Sequence, residues 1–281
     1  MKRSKNVLIT GASTGIGFAT CQEFTKRGYR VYGAVRRVED AERLKNELGE
    51  NFSPVLFDVT DQKAIDAAKV ELTQKIGNEG LACLVNNAGI AIGGPILHQN
   101  INEIDKHFQI NVIGLIRVTQ AFLPLLGASE TRSFLPGKII NISSVSGKFA
   151  FPFVSAYVGT KHAVEGFSHG LRRELLKYGI DVIIVGPGSV KTPIWDKGTD
   201  MSTYSESEYA SVLDGYSKAM KRLAEEGLEV ETVARKIVSI HEDKSPKTRY
   251  AIVKGYFQNW ILPRLIPDRM MDRLIKKQMR F

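Results

Sequence analysis

The sequence predicts an α/β protein built on a doubly wound, parallel, seven-stranded sheet with helices on both faces, and two observations carry that prediction. Short apolar runs recur at Val7–Ile9, Val31–Val35, Val55–Phe57, Leu81–Val85, Ile139–Ile142, Val182–Val185 and Tyr250–Val253, and most intervening segments show helical periodicity. Near-continuous apolar strands suit a parallel sheet covered on both faces, and right-handed crossovers then wind it in two directions. Directly after the first run, Thr10-Gly11-Ala12-Ser13-Thr14-Gly15-Ile16-Gly17 turns the chain into a helix. That context makes the fold Rossmann-type. Without a linker, an internal repeat or a low-complexity tract, residues 1–281 read as one domain.

Glycines in the first turn permit tight geometry and close approach, while the helix N-terminus offers unpaired amides to a pyrophosphate. A turn that only lets helix and strand pack closely has the same composition. The second strand ends in Val35-Arg36-Arg37. A carboxylate there would bind a ribose hydroxyl, whereas guanidinium groups suit a 2′-phosphate, so NADP(H) is preferred and NAD(H) stays admissible. The alternative is that both arginines are solvated at a helix start.

Further along, Ile104, Phe108, Asn111, Leu115, Val118 and Phe122 fall at helical spacing and place one amide in an apolar stripe. A buried amide needs partners, so Asn111 is either a site residue or a core residue satisfied by nearby backbone. Ile139-Ile140-Asn141-Ile142-Ser143-Ser144 reads as a buried strand whose C-terminal end presents Ser144. The next helix starts near Ser155, a plausible N-cap, with Val164, Phe167, Leu171 and Leu175 as its apolar stripe. Tyr157 and Lys161 are then one turn apart on one face. A phenol has a pKa of roughly 10 and a neighbouring ammonium lowers it by about 1–3 units, which would let Tyr157 exchange a proton. By itself, Tyr-x3-Lys also describes an ordinary surface pair.

With the glycine turn, Asn86-Asn87-Ala88-Gly89, Asn111, Ser144 with Tyr157 and Lys161, and Pro187-Gly188 with Thr192, the chain resembles the classical short-chain dehydrogenase/reductase family over nearly all of residues 5–255. The resemblance implies hydride transfer between a nicotinamide and a small-molecule carbonyl or alcohol. In that scheme Tyr157 protonates the developing alkoxide, Ser144 binds the carbonyl oxygen, Lys161 holds the nicotinamide ribose and acidifies Tyr157, and Asn111 holds a water relay. The implied cofactor contacts are Gly11, Ser13, Thr14, Gly15, Ile16, Gly17, Arg36, Arg37, Asp58 at the adenine, Asn87, Ala88, Gly89, Tyr157, Lys161, Pro187 and Gly188. Val190 and Thr192 would meet the nicotinamide amide. A homodimer or homotetramer through the helices carrying Asn111 and Tyr157 is implied as well.

Residues 195–228 interrupt the strand–helix alternation and read as a helical substrate flap with Tyr209, Leu213, Tyr216 and Met220 in a stripe. Together with Phe149, Phe151 and Phe153 they suggest a lipophilic substrate, although such stripes also simply pack inward. The run Pro187–Trp195 is similar to the hydroxysteroid and retinol dehydrogenase branch. The alternatives are a 3-oxoacyl thioester reductase and a non-catalytic NADP(H)-binding sensor. The extension 255–281 reads as an amphipathic segment that closes one wall of the pocket and has peripheral membrane contact as a secondary role.

A net charge of +9 arises from 39 basic and 30 acidic residues, mostly interspersed, which argues against nucleic-acid binding. Two cysteines give no disulfide framework, and five histidines form no metal-ligand pattern, so no metal is expected. No apolar N-terminal stretch suggests a leader, and the expected address is cytoplasmic with membrane association as an option.

Overall fold

The structure is a computed structural model that describes residues 3–195 and 201–279. Residues 196–200 of the expected flap, and Arg280 of the extension, lie outside the described residues.

Strands β1 (Asn6–Thr10), β2 (Arg30–Val35), β3 (Phe52–Leu56), β4 (Cys83–Asn86), β5 (Lys138–Ile142), β6 (Asp181–Pro187) and β7 (Arg249–Ile252) form one sheet in the order β3-β2-β1-β4-β5-β6-β7. Every neighbouring pair is parallel. The third strand begins earlier than its apolar run suggests because Pro54 is accommodated at the sheet edge, where a missing N–H costs no ladder bond.

Alternation across the pleat sends successive side chains into two separate cores. Leu8, Leu84, Ile139 and Val182 pack on one face, against α3 (Gln62–Ile76) and the helix Leu115–Phe122. Val7, Ile9, Val85, Ile140 and Ile183 pack on the other, against α1 (Gly15–Lys26) and the helix Val230–Glu242. Cys21 and Cys83 are fully buried here, and desolvation pushes both thiols far up, so neither serves as a nucleophile.

The strand order reverses between β1 and β4, which opens a crevice beyond their C-terminal ends. Two departures from regular helix border it. Between the helices Ile101–Phe108 and Leu115–Phe122 the chain makes a π-helical turn, Gln109–Gly114, that contains Asn111. The insertion rotates the stripe read from the sequence: His107 is fully buried, and Phe108 is partly exposed. The helix α6 (Ser155–Glu174) has Val154, not Ser155, at its N-cap, and no side chain caps it. Just before it, Phe153 adopts a left-handed φ of 60°, a conformation that a bulky side chain holds only when its packing enforces it.

Candidate active site

The phosphate end of the crevice is backbone. Gly11 and Gly15 have positive φ, and a Cβ on Gly11 would sit 2.9 Å from Ala88 Cα. Gly17 serves packing: a Cβ there would lie 2.1 Å from the Gly11 carbonyl oxygen, so helix α1 can approach the turn only without a side chain. Thr10 Oγ1 accepts from the N–H groups of Asn87 and Ala88, both at 3.0 Å, and Asn87 Nδ2 donates to the carbonyls of Thr10 and Gly11. These bonds lock the end of β4 to the glycine turn. Just beyond the end of the neighbouring β2, Arg36 Nη1 lies 3.6 Å from Asp58 Oδ2 and remains largely exposed.

Ser144, just beyond β5, converges with Tyr157 and Lys161 of α6. Ser146 N–H donates to Ser144 Oγ at 3.1 Å, and the Ser144 side chain also hydrogen-bonds Tyr157. Lys161 Nζ donates to the Ile142 carbonyl at 3.0 Å and stands 5.6 Å from the Tyr157 ring centroid. Burial lowers the Lys161 pKa to about 8, opposed by the charge of Glu165. Burial raises that of Tyr157, opposed by the Ser144 hydrogen bond. In the protein alone, therefore, the phenol is not acidified as the tyrosine–lysine pair implies, because the ammonium is turned to a backbone carbonyl.

A cleft of about 1470 Å³ runs from the glycine turn past this trio. Its outer part is lined by Phe149, Phe151, Tyr216, Met220, Met271 and Ile275. Phe153, Tyr209, Leu213 and Tyr216 pack with Tyr204, Met201 and Met279, so the expected stripe is partly spent on the protein itself. Among the described residues no cluster of side chains could hold a metal ion.

Residues 5–203 match the short chain dehydrogenase family. The chain belongs to that family. It is 38% identical to the NADPH-dependent 3-dehydrocapnine reductase of Ornithobacterium rhinotracheale, over 97% of this chain and 96% of the relative. It is 31% identical to retinol dehydrogenase 7 of Rattus norvegicus, over 89% of this chain and 80% of the relative. Among solved structures, ElxO with NADP bound superposes with a TM-score of 0.72 at 30% identity, covering 92% of this chain and 100% of that one. The first of these relatives is named for NADPH dependence, and the solved neighbour carries NADP. The side-chain-free approach at Gly11 and the exposed guanidinium of Arg36 fit a dinucleotide carrying an extra phosphate.

Most of the predicted site residues line this cleft: Gly11, Ser13, Thr14, Gly15, Ile16, Arg36, Asp58, Asn87, Ala88, Gly89, Ser144, Tyr157, Lys161, Pro187, Gly188, Val190 and Thr192. Gly17, Arg37 and Asn111 do not. Arg37 Nε is held 2.9 Å from Asp40 Oδ2, an i,i+3 pair across the first turn of helix Val38–Leu48, which draws it away from the phosphate end. Asn111 spends its amide on backbone and core: Oδ1 accepts from Ile90 N–H at 2.8 Å, and Nδ2 donates to Ile90 O and to Thr160 Oγ1. These bonds tie Asn111 to the cleft-lining loop, while Oδ1 keeps a second acceptor site. His107 helps, its Nε2 accepting from Ile92 N–H at 2.9 Å.

A buried charge cluster behind the serine goes beyond the sequence expectations. Glu165 takes Arg249 Nε on both carboxylate oxygens, at 3.0 and 2.9 Å, with Lys148 Nζ at 3.4 Å. The Arg249 guanidinium stacks 4.2 Å from the Trp260 ring centroid, and Arg264 covers the same ring at 5.0 Å. Gly186 leaves room for this arrangement, since a Cβ there would lie 2.6 Å from Arg249 Nη2 and 3.1 Å from the Ser144 carbonyl oxygen. Helical spacing does connect Lys161 to Glu165, and that was the readable signal.

Proposed function

We propose that this enzyme interconverts a ketone or aldehyde and the corresponding alcohol on a lipophilic substrate, working as an NADPH-dependent reductase. The observation that carries the reading is the apolar outer cleft, walled by the helices Ala210–Glu225 and Asp268–Met279 and opening onto Ser144 and Tyr157. On this reading residues 195–228 act as the substrate flap and 255–281 as a second wall. A relative named for NADPH-dependent reduction supports the direction.

When bound, NADPH supplies the hydride. The protein's part is proton handling and alignment. Tyr157, protonated across the neutral range because burial raises its pKa, gives its proton to the oxygen that becomes the alcohol. Ser144 Oγ–H binds that same oxygen and fixes its distance from the phenol. Lys161, cationic below about pH 8, stabilises the phenolate left behind and holds the ribose side of the cofactor. Asn111 and His107 shape the site through residues 90–92. Phe108 and Ile113 stand partly exposed near the π turn, and Gly166 and Gly170 leave open space on α6, which suits close packing of a second copy into a homodimer or homotetramer.

The test is NADPH oxidation over a panel of long-chain ketones, steroid and retinoid carbonyls, 3-oxoacyl thioesters and short ketones, with NADH as control. Higher kcat/KM for long apolar ketones supports the reading. Preference for thioesters, or cofactor binding without turnover of any carbonyl, overturns it.

A further inference from the structure

The helix Asp268–Met279 is apolar on two sides. Asp268, Met271, Asp272, Ile275, Gln278 and Met279 follow one face into the cleft. The opposite face carries Met270 and Leu274, both about half exposed, beside Arg273 and Lys277. Charge is largely segregated within this helix: both carboxylates line the cleft, Asp272 paired with Arg269 at 3.4 Å, and Arg269, Arg273, Lys276 and Lys277 are exposed outside that lining. Arg273, Lys276 and Lys277 have no ion pair among the described residues. Upstream, Tyr256, Phe257, Leu262 and Leu265 are exposed too, Leu265 at 70%, interleaved with Lys254 and Arg264. Large apolar side chains on a protein surface are ordinary when scattered, but six within residues 256–274 are not.

We infer that residues 254–277 form a docking surface for an anionic lipid bilayer, so that the outer cleft draws its substrate from the membrane. Exposed aromatic and aliphatic side chains enter the headgroup boundary while the lysines and arginines around them attract anionic headgroups, and the two contributions add. The charge complementarity selects this occupant over a second copy of the chain, whose matching face would carry the same positive charge. Among the described residues no helix is long and apolar enough to cross a membrane, so the contact is peripheral. The inference rests on the lipophilic-substrate reading for its purpose but not for its test.

The full-length enzyme is sedimented with vesicles of phosphatidylcholine alone or with one-third phosphatidylglycerol. Binding should appear on the anionic vesicles, weaken at least tenfold between low and high salt, and fall at least tenfold in Phe257→Ser/Leu265→Ser and in Lys276→Glu/Lys277→Glu. Both variants should keep wild-type kcat/KM on a short soluble ketone, which shows that they fold. Absence of vesicle binding overturns the inference. So does a larger native mass by light scattering that collapses in Phe257→Ser/Leu265→Ser, because the face would then belong to a second copy. Lack of turnover on every ketone with vesicle binding intact would instead overturn the reductase reading alone.

Discussion

Arg249 Nη2 donates to the Ser144 carbonyl at 3.3 Å while the same guanidinium holds the carboxylate of buried Glu165. Ser144 is thus tied to the last strand and, through the Trp260 ring, to the C-terminal extension. Removing the cation leaves buried Glu165 with Lys148 as its remaining ion pair among the described residues and with Lys161 as a more distant charge. Arg249→Met should therefore cost about 3–5 kcal/mol of stability, read by denaturant unfolding. Glu165→Gln should lower the alkaline limb of the rate profile, because the carboxylate raises the Lys161 pKa against burial. An unchanged limb would show that Glu165 serves packing only.

That limb itself is a second prediction. Lys161 is the titrating group, with its pKa lowered by burial to about 8, and its cationic form assists proton release from Tyr157. Carbonyl reduction should fall as pH rises through about 8 in kcat/KM, which reports the free enzyme. A flat profile from pH 7 to 10 would remove Lys161 from the mechanism.

The strands, the glycine turn and the serine–tyrosine–lysine set were legible because each is written locally: apolar runs, a strand-to-helix turn, and one helical repeat. Glu165 and Arg249 were not, since their contact spans 84 residues and depends on β7 taking the sheet edge. The π turn leaves the apolar spacing around Asn111 unaltered in sequence, so only the structure reveals that Ile90 consumes its amide. Arg37 could have been separated from Arg36 beforehand, because Asp40 stands three residues on and ion pairs at that helical spacing are common.

Arg36 lines the phosphate end of the cleft, and Arg37 does not. Arg36→Asp should weaken NADPH by at least tenfold and leave NADH within about threefold, as loss of one charge-assisted phosphate contact implies. Arg37→Asp should change their ratio far less. Fluorescence titration of both cofactors checks this. Equal losses for the two arginine variants would contradict the assignment.

His241 is buried beside Phe24 and Tyr29, its Nδ1 lacks a hydrogen-bond partner, and desolvation lowers its pKa to about 4. The folded state then binds fewer protons than the unfolded one between about pH 4 and the ordinary histidine value near 6.5. This contribution is fully present above about 6.5 and is lost as pH falls to about 4, up to about 3 kcal/mol. His241→Phe should flatten that part of the stability curve relative to wild type in urea unfolding. Parallel curves would rule His241 out.

In the proposed mechanism Tyr157 is the proton donor of a cleft that otherwise only binds and aligns. Single-turnover NADPH oxidation by Tyr157→Phe, at saturating cofactor and with the best ketone of the panel, isolates that role. The hydroxyl makes no contact on which the fold depends beyond Ser144, so the variant should bind NADPH as the wild type does and transfer hydride ~10²–10⁴-fold more slowly. A variant with near-normal hydride transfer would contradict the account.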